Sequence, residues 1–310
     1  MINGIKTLKF GVEDREKCQN FAIDFGLEAV SSEIEGTTKF SMNNGSAIYV
    51  YDKDDARLPP AFEDGSTLRE VTWAVDNQES FDKLKDSLQG VDGYKAETDI
   101  LYCRDPNGLT LSFEICVMQT SLDKASAGIN QYGSINRINQ ASPVYEQASP
   151  LGVGHVVLFS PNLAAAQTFY ENKLGFYLSD AYNNRGAFLR CSGEGWHHNL
   201  FLLKLPHKDT PGLNHVAFIV RDIHEVIGGG LHMNRKKWDS FIGPGRHPVS
   251  SAYFWYVHSP FGGAFEYYTN DDYLTPEWQA RHYDYSLDLF TEWAVEGGID
   301  DTTRRQINNM

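Results

Sequence analysis

Two histidines and one glutamate in the second half of the chain are of the residue types that bind metal ions. His155 and His215 each lie in a short apolar stretch, and Glu266 lies between Phe265 and Tyr267 in a third. A carboxylate in an apolar strand is costly to bury unless a cation or a strong hydrogen-bond donor meets it. Two imidazoles and one carboxylate can hold a divalent ion and leave coordination positions open. The three residues therefore predict a mononuclear metal site.

Further histidines and a tyrosine accompany these candidate ligands. The adjacent His197 and His198 precede an apolar stretch. His247 precedes Tyr256 by nine residues, and Tyr256 precedes Glu266 by ten. If the adjacent histidines lie in a strand, their side chains point to opposite faces, so only one of the two faces the site.

The candidate residues lie in the second copy of an internal repeat. In each copy a strand is followed by a helical stretch and then by further strands. Residues 5–12 correspond to 154–160, residues 68–78 to 213–223, and the turn at 105–109 to the turn at 259–263. The first copy has no histidine at the matching positions, so folding does not require them. The repeat predicts an α+β fold of two tandem domains, each built from two βαβββ modules.

The repeat also predicts where the domains end. We expect an N-terminal domain without a metal site over residues 1–133, a linker rich in Asn, Ser, Gln and Pro over 134–150, and a catalytic domain over 151–270. Residues 271–310 lie outside the repeat, and Pro276 opens a stretch that favours helix as far as about residue 295. This helical tail either packs on the second domain or closes over the pocket.

Composition excludes several classes of partner. The 310 residues carry a formal net charge of −14 and contain no basic run, which argues against nucleic acid and anionic membrane surfaces. No stretch has the length of a transmembrane span, and the N-terminus lacks the apolar core of a signal peptide. Four cysteines without CxxC spacing indicate reduced thiols. A cytoplasmic protein is expected.

The segments that carry these residues resemble the type I extradiol ring-cleavage dioxygenases of the vicinal oxygen chelate superfamily. The resemblance covers both domains and is most specific over residues 154–155, 196–198, 213–216, 245–247 and 256–267. It implies Fe(II), with Mn(II) as a possible substitute, held by His155, His215 and Glu266. It further implies a catalytically silent N-terminal domain, a substituted catechol and O₂ as substrates, meta cleavage of the ring, and a homo-oligomer.

The resemblance also implies roles for individual residues. It favours His198 over His197 as the general acid and base, and leaves His197 as an outward polar residue. Tyr256 would hydrogen-bond the substrate oxygen at the metal, and His247 would donate to the same region. The candidate substrate contacts are Arg246, Ser250, Arg281 and His282. Ser250 stands where many relatives have an aspartate.

Two other functions remain open at this stage. One is another metal-dependent enzyme of the same superfamily, of the glyoxalase or isomerase type. His198, His247 and Tyr256 argue against it, because a Lewis-acid isomerase does not need this set. The other is a non-catalytic protein that binds a small ligand, and the intact metal triad argues against that function.

Overall fold

The computed structural model describes residues 1–119 and 128–299, in which four successive modules each begin with a strand and a helix. The first consists of β1 (Ile2–Val12), α1 (Arg15–Asp24), β2 (Glu28–Val30), β3 (Thr38–Ser41) and β4 (Ala47–Asp52). The second consists of β5 (Thr67–Val75), α2 (Gln78–Ser87), β6 (Lys95–Ala96), β7 (Ile100–Arg104) and β8 (Thr110–Ile115).

The second half of the chain repeats this order and adds a tail. The third module consists of β9 (Gly152–Phe159), α3 (Leu163–Leu174), β10 (Tyr177–Tyr182), β11 (Gly186–Arg190), β12 (Gly195–Trp196) and β13 (Leu200–Leu203). The fourth consists of β14 (Gly212–Ile219), α4 (Ile223–Arg235), β15 (Ser240–Arg246), β16 (Tyr253–His258) and β17 (Ala264–Thr269). The tail contains β18 (Tyr273–Leu274), β19 (Arg281–Tyr283), α5 (Leu287–Phe290) and β20 (Trp293–Glu296).

Each pair of modules forms one large sheet. The first sheet has the strand order β2-β3-β4-β1-β5-β8-β7-β6, and the second has the order β19-β10-β11-β13-β9-β14-β17-β16-β15-β20. In both sheets the opening strands of the two modules are antiparallel neighbours, and the last strand pairs in parallel with the second opening strand. The candidate ligands therefore lie on the adjacent strands β9, β14 and β17. The expected α+β fold of two tandem domains with two βαβββ modules each is confirmed.

Each of the four longer helices begins at an Asp or Asn that follows a strand. The side chains of Asp14, Asn77, Asn162 and Asp222 each accept a hydrogen bond from the backbone N–H three residues later. A cap of this kind satisfies an otherwise free N–H group and contributes about 1 kcal/mol. The order of strand, cap and helix recurs in all four modules, and this recurrence underlies the repeat seen in the sequence.

The first domain packs against the back of the strand that carries Glu266. Side chains of β17 alternate between faces, so Phe265 and Tyr267 lie on one face and Glu266 on the other. Phe25 of α1 stacks on Tyr267 with ring centroids 3.9 Å apart, and the Tyr267 hydroxyl donates to the Phe25 carbonyl at 2.8 Å. Phe21 meets Phe265 edge-on at 5.4 Å. The first domain thus supports the Glu266 strand from behind.

Helix α4 packs unusually close to the same sheet through consecutive glycines. A Cβ atom at Gly230 would lie 2.0 Å from the Trp255 ring, and one at Gly229 would lie 3.0 Å from the Tyr267 ring. Glycine in a helix interior is about 1 kcal/mol less favourable than alanine. The close approach of α4 to β16 and β17 explains why glycine is needed here.

The tail has three short strands and only one short helix, which corrects the expected helical tail. β19 pairs in parallel with β10, and β20 pairs antiparallel with β15, so these two strands lie at opposite edges of the second sheet. The helix α5 between them has only four residues. The free N–H and C=O groups of a sheet edge offer backbone hydrogen bonds that outweigh a local preference for helix.

Two parts of the sequence-based domain scheme lie outside the described residues. These are residues 120–127 of the expected first domain and residues 300–310 of the tail. Residues 128–150, which contain the expected linker, form no helix and no strand of the two large sheets. No helix in the described ranges is long and apolar enough to cross a membrane.

Asp105 links the two domains through a buried network. Its carboxylate accepts hydrogen bonds from the backbone N–H groups of Asn107 and Leu109 at 2.9 and 3.0 Å, and from the Tyr170 hydroxyl of α3 at 3.1 Å. Burial raises the pKa of Asp105 to about 6, although these hydrogen bonds oppose the shift. Folding therefore retains a proton on Asp105 at pH values where the unfolded chain has lost it.

We expect Asp105→Asn to change how stability depends on pH. Because the folded pKa is raised, the stabilising contribution of protonated Asp105 is present below about pH 4 and is lost as the pH rises through about 6. The Asn variant should therefore gain up to about 3 kcal/mol over the wild type at pH 8 and less at pH 5. Urea unfolding at the two pH values measures the gain.

The exposed Asp92→Asn variant is the matched control and should show no such pH-dependent gain. An Asp105→Asn variant whose difference from the wild type is the same at pH 5 and pH 8 would contradict the assignment.

Candidate metal centre and active site

The three candidate ligands meet at one point inside the second sheet. The Nε2 atoms of His155 and His215 lie 3.3 Å apart, and Glu266 Oε2 lies 3.3 Å from His155 Nε2 and 3.1 Å from His215 Nε2. All three residues are buried. Ligand atoms about 2.1 Å from one ion at right angles to each other would lie about 3.0 Å apart. The observed separations therefore suit a single divalent ion.

The hydrogen bonds of these residues also suit a metal ion. His215 Nδ1 lies 2.6 Å from Asn214 Oδ1, so Nδ1–H donates and the Nε2 lone pair is directed to the centre. Glu266 Oε2 and His155 Nδ1 are buried and have no hydrogen-bond partner among the described residues. A buried carboxylate oxygen without a donor is expected where a cation completes the site. The three residues fit a bound metal.

Electrostatics around the centre agree with this assignment. Burial alone would raise the pKa of Glu266, but its interactions with His155 and His215 outweigh burial and hold that pKa well below its usual range. Burial lowers the pKa of His155 against the opposing effect of Glu266. The carboxylate is therefore ionised and the His155 imidazole is neutral, which are the forms that bind metal ions.

Gly154, which precedes the first ligand, has no space for a side chain. A Cβ atom there would lie 1.9 Å from the Tyr268 hydroxyl. The Tyr268 ring also contacts the His155 ring at a centroid distance of 4.9 Å. Glycine at position 154 thus lets Tyr268 pack beside the ligand.

The strand register identifies the first-domain counterparts of the three ligands. In the second sheet Ala217 pairs with His155 on one side and with Glu266 on the other. Thr72 has the same place in the first sheet. The counterparts of His155, His215 and Glu266 are therefore Thr7, Glu70 and Ser112.

The first domain supplies its own cation at the equivalent place. Lys9 Nζ lies 3.0 Å from Glu70 Oε1, and the Ser112 hydroxyl donates to the same oxygen at 2.7 Å. Glu70 is buried. A lysine ammonium and a hydroxyl therefore satisfy the carboxylate that a metal ion would satisfy in the second domain.

His247 and Tyr256 form a hydrogen-bonded pair beside the metal centre. His247 Nδ1 lies 2.7 Å from the Phe290 carbonyl, which can only accept, so Nδ1–H donates. His247 Nε2 lies 3.0 Å from the Tyr256 hydroxyl. Burial lowers the pKa of His247 to about 4, so the ring is neutral and Nε2 accepts the tyrosine proton. The sequence-based role of His247 as a donor to substrate does not match this arrangement.

His197 and His198 both point inward, and the outward orientation expected for His197 is wrong. The two residues lie between β12 and β13, outside any strand, so the alternation of strand side chains does not apply to them. His197 is fully buried, with Nδ1 at 3.1 Å from His198 Nδ1 and Nε2 at 3.0 Å from Asp180 Oδ2. His198 contacts the His155 ring at a centroid distance of 4.0 Å. Burial lowers its pKa well below the usual range.

A strained loop places Ser250 at the edge of the same cavity. Ser250 and Ser251 have φ values of 79° and 65°, in the left-handed region that costs about 1–3 kcal/mol for a residue other than glycine. The backbone N–H of Asp272 donates to the Ser250 carbonyl at 2.9 Å. Both carboxylate oxygens of Asp271 are buried close by. Burial and the charge of Asp272 raise the pKa of Asp271 well above its usual range, against the Ser250 hydroxyl, which lowers it.

The candidate metal site opens into a largely apolar cavity. The polar groups that line it are the three ligands, His198, His247, Tyr256, Asn214, Ser250 and Asp271. Its apolar walls include Val157, Phe188, Phe201, Leu203, Val249 and Phe290. No lysine or arginine of the described ranges lines it. The cavity can therefore enclose a small aromatic molecule between ring walls and the metal.

Three of the expected substrate contacts lie elsewhere. Arg246 pairs with Glu292 of the tail, and His282 lines a separate surface depression. Arg281 binds Asp180 through its backbone N–H and its guanidinium. The tail strand β19 pairs with β10, and this pairing brings Arg281 to Asp180 rather than to the cavity. Of the four expected contacts, only Ser250 lines the cavity.

Sequence reasoning missed Asp180, Asp271 and the role of His197. Asp180 lies in β10 between Ser179 and Ala181, where all three side chains are buried. The argument that singled out Glu266, a carboxylate in a buried strand, applies equally to Asp180. Asp271 follows the last repeated strand, in a region where the repeat offers no counterpart.

The chain is similar in sequence to several known proteins. Residues 152–267 match the family model described as "Glyoxalase/Bleomycin resistance protein/Dioxygenase superfamily". The chain is 31% identical over 170 residues to metapyrocatechase 2 of Cupriavidus necator, an alignment that covers 55% of this chain and 52% of that protein. The chain thus spans about half the length of this relative.

Two further matches extend over both domains. The chain is 26% identical over 306 residues to 3-methylcatechol 2,3-dioxygenase of Pseudomonas putida, covering 89% of this chain and 93% of that protein. The crystal structure of the Mn(II)-bound glyoxalase from Novosphingobium aromaticivorans has the same fold, with a TM-score of 0.76 at 21% identity. It covers 99% of this chain and 95% of that one.

We expect Mn(II) to raise the thermal midpoint of the metal-free protein. An ion that binds only the folded state at 100 times its Kd stabilises it by about 2.7 kcal/mol, or about 5–10 °C for domains of this size. Glu266→Gln should remove the shift, because a neutral amide replaces the only anionic ligand. Differential scanning fluorimetry measures the midpoints.

The exposed His258→Gln variant should retain the full shift and serves as control. An equal Mn(II) shift in Glu266→Gln and in the wild type would show that the ion binds elsewhere.

Proposed function

We propose that this chain, whose residues 152–267 match the Glyoxalase/Bleomycin resistance protein/Dioxygenase superfamily, is an Fe(II)-dependent extradiol dioxygenase. The proposed reaction inserts both atoms of O₂ into a substituted catechol and opens the ring in the meta position. The observation that carries the proposal is the convergence of His155, His215 and Glu266 with His198 and Tyr256 on one apolar cavity.

The proposed cofactor is Fe(II), with Mn(II) as a possible substitute, held by His155, His215 and Glu266. A redox-active divalent metal held there would supply activation of O₂ beside a bound catechol. The chain itself supplies an ionised carboxylate, two imidazole nitrogens and a largely apolar cavity beside them. Each of these features is also compatible with a metal that acts only as a Lewis acid.

His198 is the proposed general base and acid. It lines the cavity. Its ring lies beside the His155 ring, with a centroid distance of 4.0 Å and an interplanar angle of 35°. A neutral imidazole there can take one proton from a catechol hydroxyl and return it when the ring has opened.

Tyr256 is the proposed hydrogen-bond partner of the substrate oxygen. Its ring meets the His215 ring edge-on at a centroid distance of 5.0 Å, which places the hydroxyl beside the metal ligands. Burial and the Glu266 charge raise the pKa of Tyr256 well above its usual range, so the hydroxyl keeps its proton and can donate. The proposed role of His247 is to hold that hydroxyl beside the metal ligands, by accepting its proton at 3.0 Å, until a substrate oxygen replaces Nε2 as the acceptor.

The walls of the cavity favour an uncharged substituent on the catechol. Phe188 and Phe201 stack at 3.9 Å along one side, and Val249 and Phe290 also line the cavity. A carboxylated substituent would need a cation, and within the described part of the chain none lines this cavity. Arg185 lines the adjoining depression, where its guanidinium lies over the Tyr285 ring at 4.9 Å. We therefore propose alkyl- or aryl-substituted catechols as the substrate class.

A glyoxalase-type isomerase is the second candidate, because the Mn(II)-bound glyoxalase has the same fold. It would use the same three ligands and a metal without redox change. The pairing of Tyr256 with His247, and the position of His198 beside His155, have no evident use in such a reaction. The homo-oligomeric state and the cytoplasmic location stay predictions from the sequence.

The test of the dioxygenase proposal is incorporation of labelled oxygen. We expect the Fe(II)-loaded protein, prepared without air and then given ¹⁸O₂ and a substituted catechol, to consume one O₂ per catechol. Mass spectrometry should find both labelled atoms in a yellow ring-opened product. Iron that supports no oxygen uptake across a panel of alkyl-, aryl- and carboxyl-substituted catechols would exclude the proposal.

The tyrosine variants give a matched comparison in the same assay. Tyr256→Phe should lower kcat by about 100-fold, because it removes a hydrogen-bond donor that acts in the reacting cavity. Tyr253→Phe, on the same strand but outside the cavity, should leave kcat unchanged. Equal effects of the two substitutions would remove Tyr256 from the mechanism.

A further inference from the structure

An unbroken series of hydrogen bonds connects the tail to His198. Arg281 Nη2 donates to Asp180 Oδ2 at 2.6 Å, and Arg281 Nε and backbone N–H donate to Asp180 Oδ1 at 3.1 and 2.8 Å. Asp180 Oδ2 lies 3.0 Å from His197 Nε2, and His197 Nδ1 lies 3.1 Å from His198 Nδ1. Asp180 and His197 are fully buried. Solvent therefore cannot supply alternative partners to either residue.

Asp180 fixes the direction of the first bond in this series. Burial alone would raise the pKa of Asp180, but the hydrogen bonds from His197 and Arg281 outweigh it and lower that pKa. An ionised carboxylate can only accept hydrogen bonds. His197 Nε2 must therefore carry the proton that it shares with Asp180.

The charge balance indicates that His197 is neutral. Arg281 already neutralises the Asp180 carboxylate through its guanidinium. A second cation on a fully buried imidazole would have to share the Asp180 carboxylate with Arg281 and would be costly. Asp271 is the other carboxyl group nearby, and burial raises its pKa, which favours its neutral form. With the proton on Nε2, neutral His197 has a lone pair on Nδ1.

We propose that His197 and Asp180 are positioning residues that fix the tautomer of His198. The Nδ1 lone pair of His197 accepts, so the Nδ1 atom of His198 must carry a proton and donate. The Nε2 atom of His198 is then unprotonated and remains available to the cavity. This inference rests on the proposed function, in which His198 takes a proton from the substrate.

In this arrangement His197 does more than fill space in the core, because it determines which nitrogen of His198 carries the proton. Had His197 presented Nδ1–H instead, His198 would have to accept at Nδ1 and carry its proton on Nε2, and it could not act as a base. An aspartate that sets the tautomer of a neighbouring histidine has the same effect in serine proteases, where the histidine is directly bonded to it. Here one further imidazole lies between the carboxylate and the base.

The same histidines could also be considered as a second metal site. Nitrogen atoms of His197 and His198 and a carboxylate oxygen of Asp271 lie within 4.8 Å of one another. Both nitrogens of His197, however, already have hydrogen-bond partners in Asp180 and His198. His197 therefore has no lone pair left to give to a metal, and we assign the group to tautomer control.

Two amide substitutions of His197 separate its two hydrogen bonds. The amide of Asn reaches the place of Nδ1, so His197→Asn retains an acceptor for His198 and loses the bond to Asp180. The amide of Gln reaches the place of Nε2, so His197→Gln retains the bond to Asp180 and leaves His198 Nδ1 without an acceptor. The two variants have similar polarity and similar effects on packing.

We expect kcat to distinguish the two variants in the Fe(II)-loaded enzyme. His197→Gln should lower kcat by about 100-fold, the usual contribution of a general base, whereas His197→Asn should retain most of it. The KM for catechol should change little in either, because neither residue touches the substrate. Equal kcat values in the two variants, or a loss confined to KM, would overturn the proposal.

Nitrogen NMR tests the tautomer without any turnover. In the Zn(II)-loaded, ¹⁵N-histidine-labelled protein, where Zn(II) serves as a diamagnetic probe, His198 should show a protonated Nδ1 and an unprotonated Nε2. Its signals are assigned by their absence in His198→Gln. A protonated Nε2 on His198 would overturn the proposal even if the enzyme is a dioxygenase. Conversely, the predicted tautomer in a protein without dioxygenase activity would leave this inference standing and refute only the proposed function.

Discussion

The burial of one carboxylate, Glu266, is the constraint on which the second domain depends. Its oxygen lies within 3.3 Å of two imidazole nitrogens and has no conventional donor among the described residues. Such a group is stable in a protein interior only if a cation meets it. The adjacency of β9, β14 and β17 brings the two histidines to it, and α1 of the first domain holds the strand from behind. At the equivalent place in the first domain, the Lys9 ammonium meets the buried Glu70 carboxylate.

The tail has a larger part in the site than its sequence suggested. Its strands β19 and β20 lie at opposite edges of the second sheet, and Phe290, from the segment between them, lines the cavity. One end provides Arg281, which binds Asp180, and α5 provides the Phe290 carbonyl, which accepts from His247. These two contacts act on two different histidines of the cavity. The tail therefore provides hydrogen-bond partners on two sides of the candidate site.

Much of the fold, and the three candidate metal ligands, could be predicted because both follow from the internal repeat. A strand, an Asx cap and a helix recur in fixed order, and residues present in only one copy point to chemistry. The resemblance to extradiol dioxygenases is confirmed by the named relatives. The tail could not be predicted in this way, because its strands form only through pairing with sheet edges that are distant in sequence.

The sequence alone also could not predict which way side chains point in the irregular segments between strands. His197 was expected to face outward because neighbouring residues of a strand alternate, yet the segment between β12 and β13 is irregular. The burial of His197 is explained by Asp180 of β10, which is its buried hydrogen-bond partner. Likewise, Arg281 was expected in the substrate pocket because arginine binds acidic groups, and the acidic group it binds is a protein carboxylate.

Anomalous diffraction from crystals of the Fe(II)-loaded protein, grown without air, would test the central claim most directly. The account predicts one strong iron peak per chain, within bonding distance of His155 Nε2, His215 Nε2 and Glu266. An iron peak at the group formed by His197, His198 and Asp271, or a peak in the first domain beside Glu70, would contradict it.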